Sequence, residues 1–540
     1  MSDLFGIGLS GLATARSGVN TAGNNIANVN TPGYTRRSVD VSEVAQADGS
    51  GSGSRVSSVD RQYSQFLTEQ LNDSESRLNA TQSQLDQVSQ IDNMLSDNDS
   101  GVGSRIQDFF DSLQTLSASP ADSAARTAVL GDAEDLSTRF RSFASRLADI
   151  GEASRGRIKG AVEQINNNVA EIDNLNGEII RARASADGEP NQLLDTRDQL
   201  ISETNNLVGV DVTRDSEDRV SLTVGGQPLL NASGVTELGT RPRPDGSGQI
   251  ELVSQTPGAA RAIDSDRIQG GEVSGLLAFD QRSLPDTQSR LNQTAAVLAE
   301  QLNGLQQSGV DQNGQSGRAM FDIPAPQARE GSTNTGDAAI SASLIPGQSS
   351  QLTTDSYELT RTADGFSVAS QPAGKIVTTS PADAETIQFD GVEVGIEGDA
   401  AVGDTFHIRP IANAASDIDV NLDKPSQIAA AQSDAAGDNR NVEAMAKLSQ
   451  SDIVGGNRTL SENYAQLVGD VGNETASLQT SRDSQQGLTD EIRQSRESVS
   501  GVNLDEENVS LMYYQQMYQA NSQVIRTAGT LFDTILGITR

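Results

Sequence analysis

The sequence predicts a multidomain α+β protein, elongated, in which helical coiled-coil termini and a helical bundle enclose a nested β-rich domain. Three observations carry this. Apolar residues recur at three- and four-residue spacing close to both ends of the 540-residue chain, the repeat of one helix face. Long polar segments of helical period lie inside them. The middle turns to alternation broken by Gly and Asp, which marks strands and turns. A chain of this length exceeds one core. With aromatics at only 4%, thin bundles and small β-domains fit it better than one compact core.

Near the start, Phe5, Gly8, Leu12, Ala15, Val19, Ala22, Ile26 and Val29 form one stripe. Neither this stripe nor its C-terminal counterpart has enough local sequence to bury it, and an unburied helix is only marginally stable in water. Each large side chain gains roughly 1.5–3 kcal/mol on full burial. The stripes therefore call for partners: each other, and other subunits. The stretch "GNNIANVNTPGYTRR", Gly23 to Arg37, follows. Asn30-Thr31-Pro32-Gly33 reads as a bend, because Asn and Gly tolerate left-handed backbone and Pro stiffens it. Asn24, Asn25 and Asn28 sit beside a continuing apolar stripe. Amides there can supply hydrogen bonds and register between packed copies, as a buried Asn does in a coiled coil.

From Gln65 to Leu95 the track Leu67, Leu71, Ser74, Leu78, Thr81, Leu85, Val88, Asp92 and Leu95 keeps a heptad-like period with a diluted seam. Helical patterns follow at about 104–117, 122–150, 155–185 and 190–208, with Gly, Pro and Asp between them. "VGVDVTRDSEDRVSLTVGGQPLL" reads as a hairpin turning at Asp215–Asp218, and "GQIELVSQ" as a further strand. Residues 276–305 return to helix. From 318 to 425 strands alternate with Gly/Asp turns, and 440–500 is helical again. The last helix carries Leu511, Tyr514, Tyr518, Asn521, Ile525, Ala528, Phe532 and Ile535. The expected units are 1–60 with 495–540, a terminal helical assembly domain; 61–317 with 426–494, mainly helical with a β-hairpin region around 208–270; and 318–425, an inserted β-rich outer domain.

The formal net charge of −35 opposes binding to nucleic acid or anionic membranes. No apolar run approaches the roughly 18 residues of a membrane span, so no membrane insertion is expected. "LFGIGLSGLATA" imitates a signal peptide, but Asp3 stands where positive charge belongs and Gly and Ser interrupt the apolar run. Export without a cleaved signal is the expectation. With no cysteine and one histidine, His407, most zinc sites and Ser-His-Asp chemistry fall away. His407 reads as a strand side chain. Gly6-Ile7-Gly8-Leu9-Ser10-Gly11 matches a dinucleotide fingerprint, but five residues leave no room for the strand that must precede it. Small residues for close helix packing explain it better. Asp311-Gln312-Asn313-Gly314 resembles half a calcium loop but lacks the later ligands. No catalytic, metal or cofactor site is expected.

"NNIANVNTPGYTRR" resembles the N-terminal signature of axial flagellar proteins, and "YQANSQVIRTAGTLFDTILG", Tyr518 to Gly537, resembles their shared C-terminal helix. "SGVNLDEENVSLMYYQQMYQAN", Gly226 to Leu230, Gly270 to Asn303 and "GDTFHIRP" resemble the FlgK family of hook-associated proteins, which form the hook–filament junction. One departure is Gln306, where that family often carries a histidine. The resemblance implies a structural, non-enzymatic protein that is extracellular in the bacterial flagellum and exported through the type III apparatus. Its implied partners are further copies of itself in a helical assembly, the hook protein, the second hook–filament junction protein, and an export chaperone that grips the C-terminal helix. The residues expected to carry assembly are Leu12, Val19, Asn24, Asn25, Ile26, Asn28, Pro32, Gly33 and Tyr34 at one end. At the other they are Leu511, Tyr514, Tyr518, Asn521, Ile525, Phe532 and Ile535, which would also meet the chaperone. A hook or rod protein is the nearest alternative, and a secreted acidic adhesin a more distant one.

Overall fold

A computed structural model describes residues 2–45, 51–96, 101–185, 189–256, 259–433, 435 and 437–538. Helix α1 (Ser2–Ala27) is followed by a two-stranded antiparallel ribbon, β1 (Arg37–Ala45) and β2 (Gly51–Arg61). Helices α2 (Gln65–Leu95), α3 (Val102–Ala118), α4 (Ser123–Ala184) and α5 (Asn191–Leu207) come next. Their starts follow from local capping: the Ser64 hydroxyl accepts from Leu67 N, and the Asp122 carboxylate from Ala124 N. The helices expected at 122–150 and 155–185 are one continuous 62-residue rod. Gly151 does not break it. A Cβ at Gly151 would fall 2.7 Å from Leu284 Cδ2, so the glycine serves packing against a neighbouring helix.

The chain then makes a four-stranded antiparallel sheet from β3 (Asp211–Arg214), β4 (Val220–Val224), β5 (Gln227–Asn231) and β6 (Gly234–Val235), in that spatial order. A three-stranded sheet follows: β7 (Glu237–Pro242), β8 (Ile250–Thr256) and β9 (Ala259–Ala262). The turn between β3 and β4 places Asp218 in the left-handed region, φ 61°. Helix α6 (Gly271–Ala278) passes through a π-helical turn, Phe279–Ser283, into α7 (Leu284–Ser308).

Ten short strands follow in the next stretch: β10 (Phe321–Asp322), β11 (Gln327–Glu330), β12 (Ala339–Leu344), β13 (Ser356–Thr362), β14 (Gly365–Gln371), β15 (Lys375–Ser380), β16 (Thr386–Phe389), β17 (Val392–Glu397), β18 (Thr405–Arg409) and, after the short α8 (Ala414–Asp417), β19 (Asp419–Val420). They form a five-stranded sheet in the order β11-β18-β13-β14-β15 and a three-stranded sheet in the order β12-β17-β16. Strands β10 and β19 pair with each other where the chain leaves and rejoins the helical body. The chain closes with α9 (Arg440–Lys447), α10 (Leu460–Ser500) and α11 (Leu504–Ile538). A Thr459/Glu462 capping box starts α10.

Two apolar cores share α4. Its first half packs with α2, α3, α7 and α9 around Phe109, Phe140 and Leu113, and this core runs on through Phe321 into the β-rich stretch around Tyr357 and Phe406. Its second half, with Ile158, Ile165 and Ile172, carries the sheets of β3–β8 and α6. Gln306 is fully buried at the end of α7, donating to Gln427 O at 2.7 Å and accepting from Ala429 N at 3.0 Å. Its amide pins the returning chain to the body.

Candidate assembly interface

The chain's two ends meet. Helices α1 and α11 run antiparallel: Gly8 lies against Ile525, Gly11 against Asn521 and Gly18 against Tyr514. At the far end Asn25 meets Glu507. The buried seam of α1 is Gly8, Gly11, Ala15, Gly18, Ala22 and Asn25, at alternating three- and four-residue spacing. Gly8, Ala15 and Ala22 belong to the stripe read from the sequence, whereas Gly11, Gly18 and Asn25 were not part of that stripe. Leu12, Val19 and Ile26 flank the seam and are only half-buried. The cause is steric. A Cβ at Gly18 would enter the Tyr514 ring, and one at Gly8 would fall 2.7 Å from Ile525 Cγ1, so small residues let the helices approach where leucine would hold them apart.

On α11, Leu511, Tyr514, Asn521 and Ile525 are half-buried along the seam. The Asn521 amide also donates to Met517 O at 2.9 Å. Tyr518, Phe532 and Ile535 remain 46%, 55% and 45% exposed. Together with Leu4, Phe5 and Leu9 of α1 they give the pair an apolar outer surface. A second face of α1 is covered by the ribbon, where the Ser10 hydroxyl accepts from Ser54 N at 3.3 Å and Thr14 Oγ1 lies 3.1 Å from Ser54 Oγ.

Asn25 organises the junction and is 1% exposed. Its Nδ2 donates to Arg37 O at 2.9 Å and to Glu507 Oε2 at 3.0 Å; its Oδ1 accepts from Tyr34 Oη at 2.8 Å and Arg37 N at 3.1 Å. Every hydrogen-bonding position of this amide is filled from within the chain, which corrects the expectation that it reaches a neighbouring copy. Asn28 also acts locally, donating to Asn24 O at 2.9 Å and accepting from Thr31 Oγ1 at 3.2 Å. The Asn24 side chain faces solvent. Pro32 and Gly33 occupy the centre of a turn closed by Tyr34 N to Thr31 O, with Gly33 at φ 77°, the left-handed geometry that favours glycine at that place. Burial of Tyr34 pushes its phenol pKa up, opposed by Arg37, whose guanidinium lies 5.0 Å from the ring centroid.

Sequence reasoning missed Arg36, Glu507 and the ribbon. Arg36 Nε donates to Glu507 Oε1 at 2.7 Å and Arg36 Nη1 to Glu506 Oε2 at 2.8 Å. Glu507 is 2% exposed, and a buried carboxylate needs such partners. The signal was charge complementarity between "TRR" and "DEEN", but nothing local joins segments so far apart. The ribbon was hidden by its serine-rich composition and by a register shift, although Val39 pairs with Val59 and Val41 with Val56.

The remaining candidates fall to structural roles. Gly6–Gly11 lies inside α1. Asp311 Oδ1 accepts from Asn313 N and Gln315 N, at 2.7 and 2.9 Å, which makes a turn. His407 lies on β18 opposite Glu358, its Nδ1 3.9 Å from the carboxylate. Among the described residues no group of three or more His, Cys, Asp or Glu is placed to hold a metal ion, and no helix is long and apolar enough to cross a membrane.

Comparison with known proteins bears on this geometry directly. The description "Flagellar hook-associated protein FlgK helical domain" matches residues 88–321. "Flagellar hook-associated protein 1, D2-like domain" matches 330–410. The chain is 36% identical to flagellar hook-associated protein 1 of Escherichia coli (strain K12) and 35% identical to that of Salmonella typhimurium, over the full length of both chains in each case. The chain belongs to the flagellar hook-associated protein 1 (FlgK) family. It is a structural protein of the bacterial flagellum.

The fold agrees with that membership. The flagellar hook junction protein FlgK from Burkholderia pseudomallei superposes with a TM-score of 0.73 at 23% identity, over 80% of this chain and all of that one. Two further matches fall on the seam: a flagella basal body rod protein description covers residues 5–35, and a basal body rod FlgEFG C-terminal description covers 493–538. The two segments that α1 and α11 bring together are thus similar to parts of basal body rod proteins.

Proposed function

We propose that this FlgK-family chain forms a short helical zone between hook and filament, joined by its paired terminal helices. One observation carries the reading. In the isolated chain the buried Asn25 between α1 and α11 is satisfied internally, yet Phe532, Tyr518, Ile535, Leu9 and Phe5 are left exposed. Each gains roughly 1.5–3 kcal/mol when buried, and neighbouring subunits in a non-closing, head-to-tail array can bury them. Leu12, Val19 and Ile26, half-buried beside the seam, would complete the contact, with Asn24 at its polar margin. In this reading the hook protein lies below and the second junction protein above. The role is structural rather than catalytic, and the chain works outside the cell. It would leave unfolded through the type III apparatus without a cleaved signal, since no disulfide impedes threading, and a chaperone would cover α11 until then.

Deleting the gene, imaging the cells by electron microscopy and assaying the medium for flagellin tests this. Bare hooks with flagellin lost to the medium are the expected result. Absent hooks would move the protein down to the rod or hook, and intact motile filaments would remove it from the junction.

A further inference from the structure

The terminal unit, α1 with the ribbon and α11, joins the helical body through two covalent connections, residues 62–64 and 501–503. These lie side by side: Arg36 N donates to Ser500 O at 3.0 Å and Gln62 N to Arg36 O at 2.8 Å. Two adjacent tethers leave rotation about the line between them as the soft motion. A third attachment, made by α5, opposes it. The carboxylates Asp195 and Asp198 stand one turn apart on α5 and receive arginines from the ribbon. Arg61 Nη1 lies 2.9 Å from each, and Arg37 Nη2 lies 3.4 Å from Asp195. The Thr35 hydroxyl adds a bond to Asp195, and Asn191 Nδ2 donates to Val59 O. These groups are poorly exposed: the Arg61, Asp195 and Asp198 side chains are at 9%, 10% and 13%. Arg214 of β3 holds Asp198 from the body side at 3.2 Å.

We infer that Asp195 and Asp198 are positioning residues: with Arg61 and Arg37 they form an ionic joint that sets the angle at which the paired terminal helices leave the helical body. Buried charges of this kind specify an arrangement because breaking one side leaves the other uncompensated in a poorly solvated place. Arg61 adds direction, since its Nη1 bridges Asp195 and Asp198 and charge-assisted hydrogen bonds fix the relative placement of the two carboxylates in a way that a contact between aliphatic side chains does not. The joint belongs to the free chain and does not depend on the assembly proposed above.

The absence of cysteine from the chain allows a clean distance measurement. Spin labels at Ser57→Cys on the ribbon and Glu171→Cys on α4 read the angle across the joint; labels at Gln114→Cys and Glu171→Cys read the body alone. The expected result is a narrow ribbon-to-body distribution in the otherwise unaltered full-length chain. It should widen at least twofold when Asp195→Asn and Asp198→Asn are combined, while the body pair stays narrow. Arg61→Gln, which leaves α5 intact, should widen it in the same way. A distribution already broad without these changes, or one that stays narrow in both variants with the body pair unaltered, would overturn the inference. So would widening of the body pair to the same degree, because the carboxylates would then be supporting the fold of the body rather than its angle to the termini.

Discussion

Asn25 Nδ2 lies 3.0 Å from Glu507 Oε2, a buried contact between residues 482 positions apart. It closes the seam at the end nearest the body and brings the asparagine-rich stretch onto the first turn of α11. Glu507 lies in that first turn beside Asp505 and Glu506, where carboxylates are favoured by the positive end of the helix dipole. The same carboxylate receives Arg36. One amide and one carboxylate thus join helix, turn, ribbon and C-terminal helix.

Asn25→Leu should loosen this junction without unfolding the body. The substitution leaves Glu507, Tyr34 Oη and both backbone groups of Arg37 short of a partner, and each buried group left unsatisfied costs about 1–3 kcal/mol. Amide hydrogen exchange of α11 between Glu507 and Leu511 should accelerate by at least about tenfold, which corresponds to about 1.4 kcal/mol. Exchange in α4 should be unchanged. Equal protection at α11 in variant and parent would show that the contact is dispensable.

The glycine seam allows a size-exchange test. Gly18→Val places a branched side chain where the Tyr514 ring sits and should weaken α1–α11 pairing, seen as a lower melting temperature of the terminal helices by circular dichroism. Adding Tyr514→Ala, which vacates the space, should recover much of the loss. Failure of the double variant to improve on Gly18→Val would mean that the two positions do not share the contact.

Asp218 sets an acid limit on the region behind the ionic joint. Burial alone would raise its carboxyl pKa, but Arg197 and Arg214 outweigh it and the net shift is downward. Arg197 is fully buried, with Nη2 2.9 Å from the carboxylate. A carboxylate with a depressed folded-state pKa contributes stability above its unfolded value, about 3.9, and loses that contribution as pH falls through the folded value. Asp218→Asn keeps a residue tolerant of the left-handed backbone and removes the titration. The stability gap between parent and variant, from denaturant melts, should be constant from pH 5 to 7 and close below about pH 4. A gap independent of pH would show that the ion pair is not its source.

The long helices were legible because their periods are long and their caps local: α2 spans Gln65–Leu95 as read, and the alternation read between 318 and 425 holds strands such as β13 and β14. The seam was less legible. Hydrophobicity marks Leu12, Val19 and Ile26, but what brings two helices together here is the lack of a side chain: the stripe caught Gly8, while Gly11 and Gly18 carry no apolar signal. Asn25 was singled out for its chemistry, yet its partner Glu507 looked like any other surface acid among 74 acidic residues. Long-range pairing of this kind is invisible to local pattern. The single rod of α4 was divided at Gly151 for the opposite reason, because a glycine placed for packing looks like a break.

The central claim is that the face left open on α1 and α11 is where subunits join. The most direct measurement is to express Phe532→Asp in a strain lacking the gene and to quantify the protein in purified hook–basal bodies and in the medium. Phe532 is 55% exposed in the single chain, so the chain should fold with its terminal pair intact. The expected result is folded protein in the medium, little on the hooks, and cells without filaments. Normal incorporation with full-length filaments would contradict the account.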